Sequence, residues 1–277
     1  MQTEPVPRPA LRARAPEQRP DESVPKHWFF GNVFATHVAN GVNLLFPAGE
    51  RFFVRSVRHY EKDLRDLELR ARVRGFYAQE GAHAREHDKY NALLEGQGFD
   101  VGRFLRFYET VAFRIVERLS PPKVRLAATA AAEHYTAIMA ENSLRLRFLD
   151  HADPRMRSLL AWHAAEEIEH RDVAFDVLTE VGGGYAVRIA GLAIATAMLG
   201  SFWTLGAAML LAQDPDATLS RVASDWAKMR KRKAEDAADR KSVFVSGIRS
   251  YLRRDFHPSQ ADIDHLAGEY LASVGLA

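Results

Sequence analysis

The segment AWHAAEEIEHRD, residues 161–172, contains three glutamates and two histidines within eight consecutive positions. On a helix that turns by about 100° per residue, His163, Glu167 and His170 fall within an arc of about 60°. Glu166 lies at the margin of this arc and Glu169 outside it, so we expect these two to face solvent or to support the others. Three side chains that can bind a metal therefore point the same way.

A second group of such residues lies in QEGAHAREH, where Glu80 and His83 are three positions apart and therefore neighbours on a helix surface. The pair Glu-x-x-His thus occurs twice in the chain. Two further glutamates stand in apolar surroundings, Glu50 in FPAGERFF and Glu133 in LAATAAAEHYTAIMA. Because a buried carboxylate without a partner is costly, these segments predict a neutralising group.

The spacing of the four glutamates predicts two helical hairpins. Glu50 precedes Glu80 by 30 residues and Glu133 precedes Glu167 by 34, which suits one antiparallel hairpin in each case. A lone Glu on each of two helices, with Glu-x-x-His on each of two others, is the ligand pattern of a dinuclear metal site in a four-helix bundle. The residues that make up this pattern are Glu50, Glu80, His83, Glu133, Glu167 and His170.

Two other histidines lie near these positions but are not predicted to bind metal. His87 lies more than about 10 Å from Glu80 along the helix axis, so we expect it to support the site or to mark the end of the bundle. His134 points about 100° away from Glu133 and is interpreted as structural.

Composition limits the chemistry. The chain has 277 residues, 47% of them hydrophobic, which is enough for one large domain with or without appendages. It has no cysteine, which excludes disulfides, iron–sulfur clusters and thiolate catalysis, so any metal must be held by nitrogen and oxygen. The 38 Lys and Arg residues nearly balance 36 acids, which gives no support for a nucleic-acid partner. We find no serine or cysteine nucleophile motif and no nucleotide-binding loop.

Helix start and stop signals divide the chain into four parts. Residues 1–25 are rich in proline and have no apolar run, which predicts a disordered arm, no secretory signal and a cytoplasmic protein. Residues 26–184 are predicted to form the di-metal helical bundle. Residues 185–213 are predicted to form an apolar helix or helical hairpin, and residues 214–277 a basic helical C-terminal segment. The predicted fold class is therefore all-α, a four-helix bundle with these additions.

Within the bundle, individual residues mark the helix ends. Pro47 either begins a helix or kinks a longer one that starts near Thr36. Residues 104–118 supply one further helix. The remaining signals are Asp63 for a helix to about Glu95, Ser120 with Pro121 and Pro122 for a helix to about Leu149, and Asp153 with Pro154 for a helix that continues to Gly182.

The segment Ile189–Ala212 has 24 residues without a charge, which is long enough to span a bilayer. Between Arg221 and Arg254, however, eleven Lys and Arg residues outnumber four acids, and a single span would put one basic region outside the cell. A re-entrant hairpin that breaks near Gly200 and Ser201, or a helix against the bundle, keeps both ends in the cytoplasm. Contact with the inner face of the membrane and burial in the protein or a homodimer interface both remain open. The basic segment either contacts anionic lipid head groups or is solvated.

The ligand pattern resembles that of ferritin-like di-iron carboxylate proteins. With His163 four residues before Glu167, it resembles the di-iron arylamine N-oxygenases such as p-aminobenzoate N-oxygenase, which use three histidines and four carboxylates. This resemblance implies seven ligands: Glu50, Glu80, His83, Glu133, His163, Glu167 and His170. Over residues 25–275, the chain also resembles the bacterial family of predicted metal-dependent hydrolases, through GERFF, QEGAHAREH, AAEEIEHRDVAFD, the apolar segment and RRDFHPSQ.

These observations predict an enzyme. Four carboxylates balance the charge of two Fe²⁺ ions, so the reduced site would be neutral inside the bundle. The leading prediction is a di-iron oxygenase that uses dioxygen to oxidise a small, apolar organic substrate, with manganese as the alternative metal and an electron donor protein as a partner. A hydrolase that uses a metal-bridging hydroxide is the first alternative, as the second family's name implies. A non-catalytic, ferritin-like metal binder is the second alternative.

Overall fold

The computed structural model describes residues 10–235 and 243–277, and within these ranges the chain consists of helices and connections without a β-strand. The all-α prediction is therefore confirmed. Residues 1–9 of the predicted arm and residues 236–242 of the basic segment lie outside the described residues. The helices are α1 Val33–Asn43, α2 Phe46–Arg58, α3 Leu67–Gly96, α4 Gly102–Glu109, a π-helix Thr110–Glu117, α5 Pro122–Arg145, α6 Pro154–His170, α7 Val173–Glu180, α8 Tyr185–Gln213, α9 Leu219–Glu235, α10 Val243–Tyr251 and α11 Asp264–Ser273.

Four of these helices form the bundle around the predicted ligands: α2 packs against α3, and α5 packs against α6. Two apolar clusters flank the ligands along the bundle. On α3, Phe76 belongs to one cluster and Tyr90 to the other, and both are fully buried. Glu80 and His83 lie between them on the same helix. Burial of apolar side chains on both sides thus holds the polar residues at a fixed, dry level of the bundle.

Most predicted helix starts agree with the structure. Pro47 lies in the first turn of α2, and α1 is a separate helix, so the prediction of a helix start rather than a kink is confirmed. The side chain of Asp153 accepts from Arg155 N and caps α6. The cap predicted at Asp63 is wrong, because Asp66 accepts the N–H groups of Glu68 and Leu69. Residues 104–118 are helical, but they change from α to π geometry at Thr110.

The helix predicted to run from Pro154 to Gly182 is interrupted after His170, where α6 ends and α7 begins at Val173. In a continuous helix, the carbonyl groups of the last turn of α6 would accept the next main-chain N–H groups. Here they accept from arginine side chains instead. Arg171 donates to Ile168 O at 2.5 Å and Arg72 donates to Glu169 O at 3.0 Å. Two buried arginine side chains therefore end α6 immediately after the last predicted ligand.

Helix α8 is one continuous helix, so the alternative of a hairpin that breaks at Gly200 is wrong. It lies against α1 and α5. Two glycines permit this approach: a Cβ on Gly41 would lie 2.7 Å from Ala207 N, and one on Gly191 would lie 2.3 Å from the carbonyl carbon of Ala127. By length and composition α8 could cross a membrane, and 28% of its apolar 18-residue stretch is buried in the protein. Docking to the bundle is thus established, whereas a bilayer partner for the exposed side remains a prediction.

Residues 10–25, here called the N-terminal strap, follow the bundle surface, contrary to the predicted disorder of this part of the arm. A Cβ on Gly75 of α3 would lie 2.6 Å from Leu11 Cβ, which shows how closely the strap crosses that helix. Gln18 N donates to Ser158 Oγ on α6 at 2.9 Å, and Val24 is buried. Main-chain contacts of this kind are independent of side-chain hydrophobicity, so composition did not reveal them.

Candidate metal centre

The seven residues predicted as ligands meet at the centre of the bundle, and each has at most 4% of its surface exposed. Four helices supply them: α2, α3, α5 and α6. The single glutamates come from α2 and α5, and the two Glu-x-x-His pairs come from α3 and α6, as the spacing predicts. The residues are Glu50, Glu80, His83, Glu133, His163, Glu167 and His170.

Glu167 is the central carboxylate of the group. Its Oε1 lies 2.8 Å from His163 Nε2, 3.6 Å from His83 Nδ1 and 3.8 Å from His170 Nε2. It thus faces one imidazole from α3 and two from its own helix. A carboxylate in this position can contact two metal ions at once, because each of its oxygens can bind one.

The other three carboxylates divide between the two histidines of α6. Glu50 Oε1 lies 3.6 Å from His163 Nε2. On the opposite side, Glu133 Oε2 lies 2.9 Å from His170 Nδ1 and Glu80 Oε1 lies 3.3 Å from His170 Nε2.

The arrangement offers two overlapping sets of metal donors. In one, atoms of Glu80, His83, Glu167 and His170 lie within 4.8 Å of one another. In the other, atoms of Glu50, His83 and His163 satisfy the same limit. Histidine nitrogen and carboxylate oxygen are donors for iron, manganese or zinc. His83 belongs to both sets and can bind one metal through Nδ1, so the two sets share this imidazole.

Burial shapes the electrostatics of these groups. Burial, together with the negative charge of neighbouring glutamates, raises the pKa of Glu50 and Glu80 well above the ordinary value. Burial lowers the pKa of His83 well below its ordinary value. His170 behaves differently: burial would lower its pKa, but the charges of Glu133 and Glu167 outweigh that effect and raise it. Without a cation, the cluster thus needs protons to offset its negative charge.

Residues around the cluster orient its side chains. The N–H of His83 Nε2 donates to Glu166 Oε2 at 3.0 Å, which leaves His83 Nδ1 directed at Glu167. Glu166 is fully buried and also accepts from the main-chain N of Arg14 at 2.9 Å. Of the two expected roles for Glu166, support of the site is therefore the one observed. A carboxylate behind a metal-binding histidine fixes the tautomer and ring orientation of that histidine.

The guanidinium of Arg14 pairs with Glu169 at 2.8 Å, and Gln79 Nε2 donates to the same carboxylate. The strap thus covers the outer side of α6. No local pattern identifies Arg14 in this role, because its partners lie more than 150 residues away. Glu166 could have been identified from its marginal position on the helical arc.

His87 and His134 lie where the sequence predicted. His87 contacts His163 on the side away from the carboxylates, with 2.6 Å between His87 Nε2 and His163 Nδ1. Its other nitrogen lies 2.6 Å from Asn43 Oδ1. His134 Nε2 donates to Gly247 O at 2.8 Å and takes no part in the cluster.

A second group of histidine and carboxylate donors lies at the end of α8. His27 and His37 each place Nε2 at 2.7 Å from Asp214 Oδ2. Lys26 Nζ lies 2.7 Å from the other oxygen of Asp214, so an ammonium already balances that carboxylate. This cluster joins the segment before α1, α1 itself and the end of α8, and we interpret it as an ion-pair junction rather than a metal site.

The central cluster also contains many buried polar atoms without a hydrogen-bond partner among the described residues. Native interiors rarely leave such atoms unpaired, because each costs free energy. A metal ion would supply the missing partner, and the donor set fits one. The atoms are both carboxylate oxygens of Glu50 and of Glu80, His83 Nδ1, Glu133 Oε1, Glu167 Oε2 and His170 Nε2.

An all-α bundle with a buried cluster of carboxylates and imidazoles defines a class of metal-binding helical proteins. The family described as predicted metal-dependent hydrolase matches residues 12–262, and the chain belongs to that family. No match was found among curated proteins or solved structures. The resemblance to this family is thereby confirmed. Its description supports the hydrolytic alternative better than the oxygenase prediction.

Proposed function

We propose that this protein is a metalloenzyme whose centre is a pair of metal ions held by the seven residues of the cluster. The single observation that carries the proposal is the concentration, where four helices meet, of eight buried donor atoms that have no hydrogen-bond partner among the described residues. A buried donor or acceptor left unsatisfied costs about 1–3 kcal/mol, so a cluster of them would be a large defect in a purely structural core.

The donor set favours iron or manganese. Four carboxylates and three imidazoles contain no soft ligand, and the chain has no cysteine. With all four carboxylates ionised and the imidazoles neutral, two divalent ions balance the charge. Burial raises the pKa of Glu50 and Glu80, so metal ions would replace protons on these groups as they bind.

For the reaction, the donor set favours oxidation of a small organic substrate by dioxygen. When such a site holds a pair of reduced iron ions, the iron pair supplies electrons to dioxygen. The protein's own residues hold the ligands and exclude water: Glu166 orients His83, and His87 contacts His163 from behind. Trp162 is fully buried and its ring lies edge-on to His83, with 4.9 Å between ring centroids. A dry, rigid site of this kind limits side reactions of an oxidising centre.

Metal-dependent hydrolysis is the second candidate, and the family description is the observation that favours it. In this case the metal ions would act as Lewis acids and activate water for attack on an ester or amide. The same seven residues would hold the metals. The two candidates therefore differ in the metal and the co-substrate and share the ligand set.

One experiment separates the candidates. The protein is purified with iron, with manganese and with zinc, and metal per chain is counted. Dioxygen consumption and a visible absorption band after reduction and exposure to air are then measured, together with cleavage of p-nitrophenyl esters. Two irons per chain with dioxygen uptake support oxidation. Ester cleavage by the zinc or manganese form without dioxygen uptake supports hydrolysis, and many irons per chain support the alternative of a storage protein.

Variants give this experiment its controls. Glu80→Ala and His83→Ala each remove a donor, and each should lower the metal content. His134→Gln changes a buried histidine on the same helix as Glu133 that makes no contact with the cluster, so its metal content should equal that of the wild type. A wild-type protein that binds none of the three metals would overturn the proposal. The electron donor, a homodimer, a membrane surface and a cytoplasmic location stay predictions.

A further inference from the structure

A cavity of about 110 Å³ lies beside the cluster and includes Glu50 in its wall. Its walls come from α2, α4, the π-helix, α5 and α8. The volume is comparable to that of engineered cavities that bind a benzene-sized molecule, which are near 150 Å³. The space is therefore large enough for a single small ring or a short alkyl chain. Its apolar lining includes Phe46, Phe52, Phe113, Ala128, Met139 and Met198.

The charges in the lining are few and almost all accounted for. Glu50 is at the side of the cluster. Glu117 is paired with Arg55, with 2.7 Å between Arg55 Nη2 and Glu117 Oε2. Arg125 donates through Nε to Ser120 O at 2.9 Å. Arg125 keeps its positive charge, because a main-chain carbonyl does not neutralise a guanidinium. The rest of the lining is mostly apolar, and desolvation would disfavour a charged ligand there.

One hydroxyl in the wall is available to a ligand. Ser120 Oγ donates to Val116 O and Thr136 Oγ1 donates to Glu133 O. Tyr108, whose side chain also lines the cavity, makes no hydrogen bond through its hydroxyl within the described part of the chain. Burial and the nearby charge of Glu50 raise the pKa of Tyr108, so its hydroxyl keeps its proton and can donate it.

The π-helix forms one wall of the cavity. Ala112, Phe113 and Val116 of this helix line the cavity. Helical π geometry is rare and occurs frequently at functional sites, because the wider turn displaces side chains from the positions they would have in an α-helix. Here the displaced wall borders the space next to a predicted metal ligand.

We propose that this cavity is the substrate chamber, and that the substrate is a small, uncharged, apolar molecule of about one ring with a hydrogen-bond acceptor that faces Tyr108. The assignment rests on the proposed function for the role of Glu50 as a metal ligand. The chamber itself is defined by its walls and can be tested without any metal.

The test uses fluorobenzene as the probe, followed by ¹⁹F NMR on the metal-free full-length protein. We expect saturable binding of fluorobenzene, and no binding of 4-fluorobenzoate, which carries a charge. Ala112→Leu on the π-helix and Ala128→Leu on α5 each fill part of the chamber and should weaken fluorobenzene binding by about tenfold or more. Ala193→Leu adds the same volume on the exposed side of α8, outside the chamber, and should leave binding unchanged.

A second probe tests the hydroxyl. 4-Fluorobenzonitrile carries an acceptor, and Tyr108→Phe should weaken its binding while leaving that of fluorobenzene unchanged. If Tyr108→Phe weakens the binding of both probes to the same extent, Tyr108 only shapes the wall. That result would overturn the role assigned to its hydroxyl. Equal affinities in wild type and in both filled variants would overturn the chamber.

The position beside the metal centre has its own readout. In protein loaded with Mn²⁺, the ¹⁹F relaxation rate of bound fluorobenzene should rise strongly, because the paramagnetic ions would lie next to the chamber. If fluorobenzene binds and no metal binds, the chamber stands and the metalloenzyme proposal fails. If Mn²⁺ binds at two per chain and the relaxation of bound fluorobenzene does not change, the metal site stands and the chamber assignment fails.

Discussion

His87 Nε2 lies 2.6 Å from His163 Nδ1, and His87 Nδ1 lies 2.6 Å from Asn43 Oδ1. Asn43 donates through Nδ2 to Asn91, so its Oδ1 accepts from His87 Nδ1. Burial lowers the pKa of His87 well below its ordinary value, so the neutral ring has only Nε2 left to accept the proton of His163 Nδ1. The chain of contacts therefore directs His163 Nε2 at Glu50 and Glu167, as a metal ligand requires.

Replacing His87 tests this relationship. His87→Phe removes the acceptor behind His163 and should weaken the binding of one metal ion by about 10–100-fold. His87→Gln retains a carbonyl oxygen that can accept from His163 and should recover much of that loss. The affinity is measured by titration in a metal buffer. Wild-type affinity for both metals in His87→Phe would contradict the role assigned to His87.

Glu166 should matter although the sequence placed it only at the margin of the ligand stripe. Glu166→Ala removes the acceptor of His83 Nε2 and of Arg14 N, so we expect about 10–100-fold weaker metal binding. Glu169→Ala is the matched control, because Glu169 contacts Arg14 and Gln79 but no histidine of the cluster. Metal affinity in the two variants is compared by the same titration, and equal losses would refute the specific role of Glu166.

Glu50 should stabilise the protein only when metal is bound. Both of its oxygens lack a partner, and burial raises its pKa. Glu50→Gln removes the cost of burying this carboxyl group, so the metal-free variant should melt a few degrees higher than the metal-free wild type. With metal added, the order should reverse, because the wild type gains binding free energy that the variant lacks. Melting curves with and without Mn²⁺ measure both effects, and a variant that melts lower in both states would contradict the argument.

The junction at Asp214 should make stability fall in acid. Burial lowers the pKa of His37 despite its contact with Asp214, so the folded protein binds this proton less readily than the unfolded chain. The contribution of neutral His37 to the free energy of unfolding is fully present above the unfolded pKa of about 6.5 and is lost as the pH falls below that value. In His37→Gln this component is absent, so the stability difference between wild type and variant should shrink from pH ~7.5 to ~5.5.

Urea unfolding at three pH values measures this difference. His59→Gln changes an exposed histidine and serves as the control substitution. Asp214 adds to the effect at lower pH, because its pKa is lowered by Lys26, His37 and His27 against the effect of burial. Its contribution is present above the unfolded pKa of about 3.9 and is lost as the pH falls further.

The sequence by itself determined the elements of the site, because helical periodicity is local. Side chains three and four positions apart must share a face, so the alignment of His163, Glu167 and His170 follows from spacing alone. The isolated glutamates in apolar segments and the absence of cysteine limited the atoms that could bind a metal to nitrogen and oxygen. The family resemblance pointed to His163, and the structure places it with the other six.

Only the tertiary structure decided what surrounds these residues. Arg14 reaches Glu166 across 152 positions, and Asn43 reaches His87 across 44. The end of α6 depends on Arg72, which lies on another helix. The cavity beside Glu50 exists because side chains from α2, α4, the π-helix, α5 and α8 do not fill the space between them. No pattern along one helix encodes such contacts, since they arise from the packing of segments that are distant in the chain.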